Sequence, residues 1–348
     1  MLILPTSVVR CSSCVSRFFF RRPFSSRVVS VPRYRSSHMD TETSLFEGRK
    51  RATIRLCKVS SFTTELLEMH SEDPSMHILF IPGNPGVVSF YKEFVESLYE
   101  QLEGNASITA IGHIAQTRKD WEHGRLFSLQ DQINHKMDFI NQELQNKEIP
   151  LILVGHSIGS HISLEIFKRL PQEVKYTVGL YPFLAMSKES RVQSMLVKIT
   201  AFQVLCTAVS SILALIGLLP NWASGFLVRK LVGGRSWSAT AVEATCTHLL
   251  KYHAMQNILY MAKTEFSKLS EEPEWEFIRE KQSQIAFLFG IDDHWGPLTM
   301  FEEISKQAPD VALSIEQEGH THGFSCTEAG SVWVACFLVS LIKRQISY

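Results

Sequence analysis

The sequence predicts an α/β fold in which helices flank a mostly parallel sheet. Short apolar runs alternate with segments whose apolar residues recur at helical spacing, which is typical of β-α-β units. The runs are continuous, as expected for strands covered on both faces. The alternation stops between about residues 183 and 282 and then resumes. We therefore expect a core at 50–182 and 283–348, and a helical cap at 183–282 over the carboxyl ends of the strands.

The first predicted elements begin near residue 51. Ala52–Val59 and Thr63–His70 are predicted as two short strands. His77–Ile81 is an apolar run that ends at Pro-Gly-Asn-Pro-Gly, a sequence that forces a turn. Phe90–Leu102 has apolar residues at helical spacing, and Ser107–Ile111 is the next strand candidate.

The following segments continue the alternation. Leu129–Leu144 repeats apolar residues on one helical face. Leu151–Val154 is fully apolar and precedes a glycine, Ile158–Leu170 is helical, and Thr177–Tyr181 is apolar and ends at a proline. Beyond the cap the order is strand, helix, strand and helix, over Ile285–Phe289, Leu298–Gln307, Val311–Ile315 and Glu328–Lys343.

Composition excludes several classes of protein. The 348 residues are 45% hydrophobic and 20% charged, an ordinary globular balance that rules out bulk disorder. Thirty-five basic and 35 acidic residues give no net charge, so nucleic acid is not an expected partner. Seven cysteines, an odd number in a long chain, do not form a disulfide framework and favour a reducing compartment.

The N-terminal segment differs from the rest of the chain. Residues 1–39 contain seven arginines, nine serines and no acidic residue, which is typical of a mitochondrial or plastid transit peptide. The alternative is an upstream extension, with Met39 as the start. In both cases we expect residues 1–40 to lie outside the folded domain. Cys11 and Cys14 form a lone C-x-x-C without a second pair or a nearby histidine, so no metal site is predicted.

One motif carries a specific chemical prediction. Gly155-His156-Ser157-Ile158-Gly159 matches G-x-S-x-G and lies between an apolar strand and a helix. In this context the serine occupies a tight strand-to-helix turn with its hydroxyl exposed, and the dipole of the following helix favours developing negative charge. We expect Ser157 to be a nucleophile.

A serine nucleophile needs a base, and the base needs an acid to orient it. In this fold class the acid and then the histidine follow the serine along the chain. Two late strands lead into loops with the required residue types. The acid is Asp292 or Asp293, and the base is His320 or His322. We expect the residues not used, and His294, to be solvated or supporting loop residues.

The developing oxyanion requires two backbone N–H donors. Ile158, which follows the nucleophile, supplies one, and the loop after the His77–Ile81 strand supplies the other. Pro82 and Pro85 of that loop have no N–H, so Asn84 is the predicted donor. A rigid turn without a catalytic role is the alternative.

These motifs resemble those of the lipid droplet-associated hydrolases, a family of α/β-hydrolases. The resemblance runs from about residue 77 to the C-terminus and includes Phe90-Tyr91, Ser160, Trp295, Pro297 and Gly323-Phe324 beside the motifs above. It implies the α/β-hydrolase fold and selects Asp293, two residues before the tryptophan, and His322, two residues before the phenylalanine. It also implies an ester hydrolase of lipid droplets and endoplasmic reticulum, with sterol esters or other neutral lipids as substrates. His294 and the Arg-rich start depart from the family pattern.

The cap contains a long uncharged stretch. Ile199–Leu219 is long enough to span a bilayer as a helix. However, a thin polar stripe runs along one side of it, and basic residues flank it. We expect roughly 196–228 to contact a droplet or membrane surface, as an interfacial helix or as a hairpin. The alternative is a cap helix packed on the core with the polar stripe facing solvent.

The sequence therefore predicts a serine ester hydrolase that acts on lipid esters, with no metal or organic cofactor implied. One alternative is a droplet-surface protein that binds lipid or partners with little catalytic activity. Another is an acyltransferase that uses the same Ser157-Asp293-His322 triad.

Overall fold

The computed structural model describes residues 50–187, 189–233 and 236–345, and the side chains of 232–233 are not described. The transit-like segment, Met39 and the Cys11–Cys14 pair lie outside these ranges, so the predictions for them remain predictions.

The sheet follows from the apolar runs of the sequence. Its strands in chain order are β1 (Thr53–Val59), β2 (Phe62–Met69), β3 (Met76–Ile81), β4 (Ala106–Ile111), β5 (Leu151–His156), β6 (Val174–Leu180), β7 (Ile285–Gly290) and β8 (Ala312–Glu316). They form one sheet in the order β1-β2-β4-β3-β5-β6-β7-β8. The pairs β1–β2 and β2–β4 are antiparallel, and every later pair is parallel. The carboxyl ends of β3 and of β5 to β8 therefore share one edge.

Helices cover both faces of this sheet and form the insertion. In chain order the α-helices are α1 (Lys92–Gln101), α2 (Leu129–Glu143), α3 (Ile158–Arg169), α4 (Arg191–Ala201), α5 (Gln203–Ile216), α6 (Asn221–Val228), α7 (Ala239–Ala244), α8 (Tyr252–Lys268), α9 (Trp275–Glu280), α10 (Leu298–Gln307) and α11 (Glu328–Gln345). Two π-helical turns, Arg229–Gly233 and Thr245–Leu249, lie within the inserted segment. The predicted helix at Phe90–Leu102 begins instead as a 3-10 turn, Val88–Tyr91, before α1.

Alternate residues of the central strands enter two hydrophobic cores. Ile78 and Phe80 of β3 pack with α1 and α11 on one face of the sheet. Leu79 and Ile81 pack with α2, α3 and α10 on the other face. Because both faces are apolar, the strands have no polar alternation, which is why the sequence predicted a covered parallel sheet. The predicted fold class is confirmed by this sheet and by the structural comparisons reported below.

The uncharged stretch of the insertion is not one straight helix. The chain bends by 99° between α4 and α5, at Phe202. Within the described ranges no single helix is long and apolar enough to cross a membrane, although α4 and α5 together meet the length and composition criteria as a bent pair. The polar stripe of this stretch consists of Thr200, Gln203, Thr207 and Ser210, and it does not face one environment. Thr200 and Ser210 are buried, whereas Gln203 and Thr207 are exposed.

Candidate active site

Ser157 lies in the sharp turn between β5 and α3. Its backbone has φ 55° and ψ −123°, a conformation that only tight packing maintains for a residue with a side chain. The motif glycines allow this turn. A Cβ on Gly155 would lie 2.2 Å from the carbonyl oxygen of Gly159, and one on Gly159 would lie 2.2 Å from that of Ile81. The turn leaves Ser157 buried, with 8% of the residue exposed.

The other two predicted side chains meet Ser157 from the loops after β7 and β8. His322 Nδ1–H donates to Asp293 Oδ2 over 2.7 Å, and the Ser157 hydroxyl donates to His322 Nε2 over 2.9 Å. The structure thus brings Ser157, His322 and Asp293 into one hydrogen-bonded chain.

The neighbouring residues that chain order also allowed as acid or base are not part of this hydrogen-bonded chain. Asp292 and His294 are exposed, and the His320 ring lies 5.8 Å from that of Trp333. Geometry therefore favours Asp293 and His322 over their neighbours, in agreement with the resemblance.

Asp293 is held as a carboxylate. Its burial opposes ionisation, but the charge of His322, the hydrogen bond from His322 and backbone N–H groups of Trp295 and Gly296 outweigh burial and lower the pKa of Asp293. The Trp295 N–H reaches Asp293 Oδ1 at 2.9 Å. A fixed carboxylate beside Nδ1 keeps the proton on that nitrogen and leaves Nε2 free to accept one from serine.

Two backbone N–H groups of the described chain lack an acceptor, one directly after Ser157 and one in the loop after β3, whose Gly83 lies against Ser157. Those of Ile158 and Asn84, the predicted oxyanion donors, have no acceptor among the described residues. The Ile158 group is the first of α3, where the partial positive charge of the helix favours an anion. The arrangement places a serine hydroxyl, an imidazole, a carboxylate and two N–H groups without acceptors in the positions that acyl transfer would require.

Comparison with known proteins identifies the family. A family model described as lipid-droplet associated hydrolase matches residues 74–325. The chain belongs to this family. A lipid droplet-associated hydrolase of Gallus gallus is 27% identical over 266 residues, which are 72% of this chain and 80% of that protein. Those of Dictyostelium discoideum and Homo sapiens are 27% and 25% identical, over 75% and 78% of this chain and 86% and 87% of theirs.

Solved structures show the same fold. A haloalkane dehalogenase from Bradyrhizobium elkani has a TM-score of 0.62 and 15% identity, covering 84% of this chain and 99% of that chain. An epoxide hydrolase from Vigna radiata has a TM-score of 0.60 and 16% identity, with the same coverage. At these identities the likeness shows the fold alone. The fold and the family together make this chain a hydrolase of the α/β type.

Two residues to which the sequence assigned no role, His156 and Tyr91, hold the main chain of His322. His156 Nε2–H donates to the backbone carbonyl of His322 over 2.9 Å, and the Tyr91 hydroxyl donates to His156 Nδ1 over 2.8 Å. The Gly83 N–H donates to the Tyr91 oxygen over 3.2 Å. Burial, with the nearby charge of His322, lowers the pKa of His156 to about 3, so this ring is neutral. These hydrogen bonds connect residues 82–86, named the oxyanion loop here because the sequence predicts an oxyanion donor in it, to the main chain of His322.

The inserted helix α8 also reaches the oxyanion loop. Asn84 Nδ2 donates to Glu265 Oε1 and to the carbonyl of Ile258, both over 2.9 Å. Pairs so distant along the chain carry no sequence signal, which is why sequence analysis did not find Glu265.

Three aromatic side chains form a cluster beside His322. The ring centroids of Trp295 and His322 lie 6.2 Å apart, and Phe266 of α8 stacks on Trp295 at 6.4 Å. Phe183 packs edge-on against Trp295 at 5.2 Å. Within the described ranges no group of three His, Cys, Asp or Glu side chains could hold a metal ion.

Proposed function

We propose that this α/β-hydrolase is a serine ester hydrolase that acts on lipid esters, such as sterol esters or other neutral lipids, at a lipid droplet surface. The observation that carries the proposal is the hydrogen-bonded chain from Ser157 through His322 to Asp293. A protein that only bound lipid would not need this chain of three side chains.

The reaction follows from the geometry. Ser157 Oγ attacks the ester carbonyl carbon while His322 Nε2 takes the hydroxyl proton. The N–H groups of Ile158 and Asn84 bind the oxyanion, and each is worth about 10²–10³ in rate. The tetrahedral intermediate expels the alcohol, which takes the proton from His322, and an acyl-serine remains. Water, activated by the same histidine, then releases the carboxylic acid.

The inserted helices support a lipid surface as the place of action. An apolar surface, formed by the exposed side chains of α5 and α6 and the residues beside them, consists of Phe202, Val204, Ile212, Leu215, Leu218, Trp222 and Phe226. Val204 and Leu218 are 80% exposed and Trp222 is 79% exposed. The predicted alternative, a packed cap helix with the polar stripe facing solvent, is matched only in part, because Gln203 and Thr207 are exposed whereas Thr200 and Ser210 are buried.

Charge at the ends of the apolar surface suits a phospholipid monolayer. Lys198 precedes it and Arg229 and Lys230 follow it, and no acidic residue lies between them. Each basic residue near an anionic leaflet contributes ~1 kcal/mol, and full burial of a leucine side chain contributes ~1.5–3 kcal/mol. Together with the relatives' names, this supports our proposal that the protein acts on lipid droplets and the endoplasmic reticulum. Import by residues 1–40 into an organelle is the alternative, which imaging of the full chain beside a form starting at Met39 distinguishes.

The chemistry is tested with purified wild type and Ser157→Ala on a fluorophosphonate probe and a panel of sterol, glycerol and p-nitrophenyl esters. We expect labelling and hydrolysis by the wild type alone. Equal labelling of the variant would refute the nucleophile. Activity of neither protein on any ester would favour the surface-binding alternative, and ester formation with an added alcohol would favour acyl transfer.

The surface is tested by flotation with phospholipid-coated triglyceride droplets. The double variant Leu218→Asp and Trp222→Asp should lose roughly 100-fold or more in droplet partitioning, because two largely exposed apolar side chains leave the contact. Leu56→Asp is the matched control, since Leu56 is 52% exposed on β1, outside the apolar surface. Equal flotation of all three proteins would refute the surface assignment.

A further inference from the structure

Glu265 is a buried acid that faces the oxyanion loop from the inserted segment. It lies on α8 and is 4% exposed. Its Oε1 accepts a hydrogen bond from Asn84 Nδ2. The same amide nitrogen donates to the carbonyl of Ile258, which precedes Glu265 on α8. Both protons of the Asn84 amide are therefore directed at α8.

The opposite side of the loop is held by Gln116. Its Oε1 accepts from the Gly86 N–H over 2.6 Å, and its Nε2 donates to Asn84 Oδ1 over 3.3 Å. With oxygen and nitrogen of its amide both bonded, the Asn84 side chain cannot turn back to satisfy its own backbone N–H. No described residue accepts a hydrogen bond from that N–H, and the preceding residue, Gly83, lies against Ser157, because a Cβ on Gly83 would be 3.0 Å from the Ser157 Cβ.

No ion pair accounts for an acid at this position. Among the described residues, Glu265 forms no ion pair with any charged or histidine side chain of α8 or of the elements packed against it. These side chains are Asp131, His135, Lys136, Asp138 and Glu143 of α2, Arg191 and Lys198 of α4, His248 of the π-helical turn, and His253, Lys263 and Lys268 of α8. Burial raises the pKa of Glu265 to about 8, and the Asn84 hydrogen bond only partly opposes this. The carboxyl is therefore protonated at neutral pH.

We propose that Glu265 is a positioning residue for the oxyanion loop: its carboxyl oxygen accepts a hydrogen bond from the Asn84 side chain and so aims the Asn84 backbone N–H at the reacting carbonyl. This rests on the proposed ester hydrolysis. Neutrality matters because a carboxylate beside this donor would repel the negative oxygen that forms in the transition state.

The experiment measures p-nitrophenyl butyrate hydrolysis by the full chain from pH 6 to 10, with the rate of Ser157→Ala subtracted. Glu265→Leu removes the acceptor, so we expect kcat at pH 7 to fall roughly 10–100-fold while KM stays within about threefold. Glu265→Gln keeps an uncharged acceptor, and its kcat should lie several-fold above that of Glu265→Leu. The wild-type kcat should fall between pH 8 and 10, whereas that of Glu265→Gln should not.

Glu243→Gln, at an exposed glutamate of α7, is the matched control and should follow the wild type at every pH. An alkaline fall retained in Glu265→Gln, or a Glu265→Leu kcat equal to wild type, would overturn the assignment. If Glu265→Leu does not fold by circular dichroism, the Glu265→Gln pH profile decides alone. Failure of the proposed function is distinguishable, because it removes any Ser157-dependent hydrolysis from the wild type itself.

Discussion

Replacement of Glu265 by glutamine should change how the stability of the protein depends on pH. The folded protein holds a proton on this buried carboxyl up to about pH 8, whereas the unfolded chain releases it near the ordinary value of 4.5. Unfolding therefore releases a proton between these values, so stability falls as pH rises. The stability that the Glu265 proton contributes is fully present below the pKa of the unfolded chain, and it is lost as the pH rises through the pKa of the folded protein.

The magnitude follows from these two pKa values. At about 1.4 kcal/mol per pH unit of difference, the whole effect is about 5 kcal/mol, of which roughly 3 kcal/mol is lost between pH 6 and 9. Glutamine does not titrate, so Glu265→Gln should escape this loss. Relative to wild type, its free energy of unfolding should rise by roughly 3 kcal/mol between pH 6 and 9.

Urea unfolding followed by fluorescence at pH 6, 7, 8 and 9 measures this difference. The midpoint of Glu265→Gln, relative to wild type, should move upward by roughly 1 M over that range. The difference between Glu243→Gln and wild type should stay constant. Parallel pH dependence of wild type and Glu265→Gln would refute the reasoning, because it would mean that the carboxyl ionises in the folded protein as it does in water.

Three further variants test other parts of the site. Asp293→Asn removes the acceptor that fixes the base, and kcat for p-nitrophenyl butyrate should fall by about 10⁴ with the thermal midpoint near wild type. Tyr91→Phe breaks the hydrogen-bond relay to the oxyanion loop, and kcat should fall roughly tenfold while KM is unchanged; a changed KM alone would contradict this role. Gly159→Ala should lower the free energy of unfolding in urea by about 3 kcal/mol or more, because the added Cβ would lie 2.2 Å from the Ile81 carbonyl oxygen. The control Gly225→Ala should change that free energy by less than about 1 kcal/mol, because its Cβ would meet only a Val242 methyl at 4.0 Å.

The serine was predictable from sequence because its requirements are local. A strand, a turn with two glycines and a helix all lie within about 20 residues around Ser157. For the acid and the base, the sequence could only narrow the choice to Asp292 or Asp293 and to His320 or His322, since nearby loop residues point in different directions and chain order does not choose between them. Resemblance to the family chose Asp293 and His322, and the hydrogen bonds of the folded chain agree.

The contacts of the inserted segment were not predictable. Asn84 and Glu265 lie 181 residues apart, and no periodicity connects them. The bend at Phe202 is likewise absent from the pattern, because neither glycine nor proline interrupts the apolar spacing there. Packing of Cys206 on α5 against Met255 and Ile258 of α8 accompanies this bend, and such tertiary contacts override local helical spacing.

The position of the insertion between β6 and β7 sets an order of events at the ribosome. Ser157 and the whole of α4, α5 and α6 are synthesised before Asp293, and His322 follows later still. On the proposed mechanism, α4, α5 and α6, the helices proposed to contact lipid, are thus synthesised while Ser157 still lacks both His322 and Asp293. On that mechanism, a growing chain therefore contains the helices proposed to contact lipid before it contains all the side chains needed to cleave an ester.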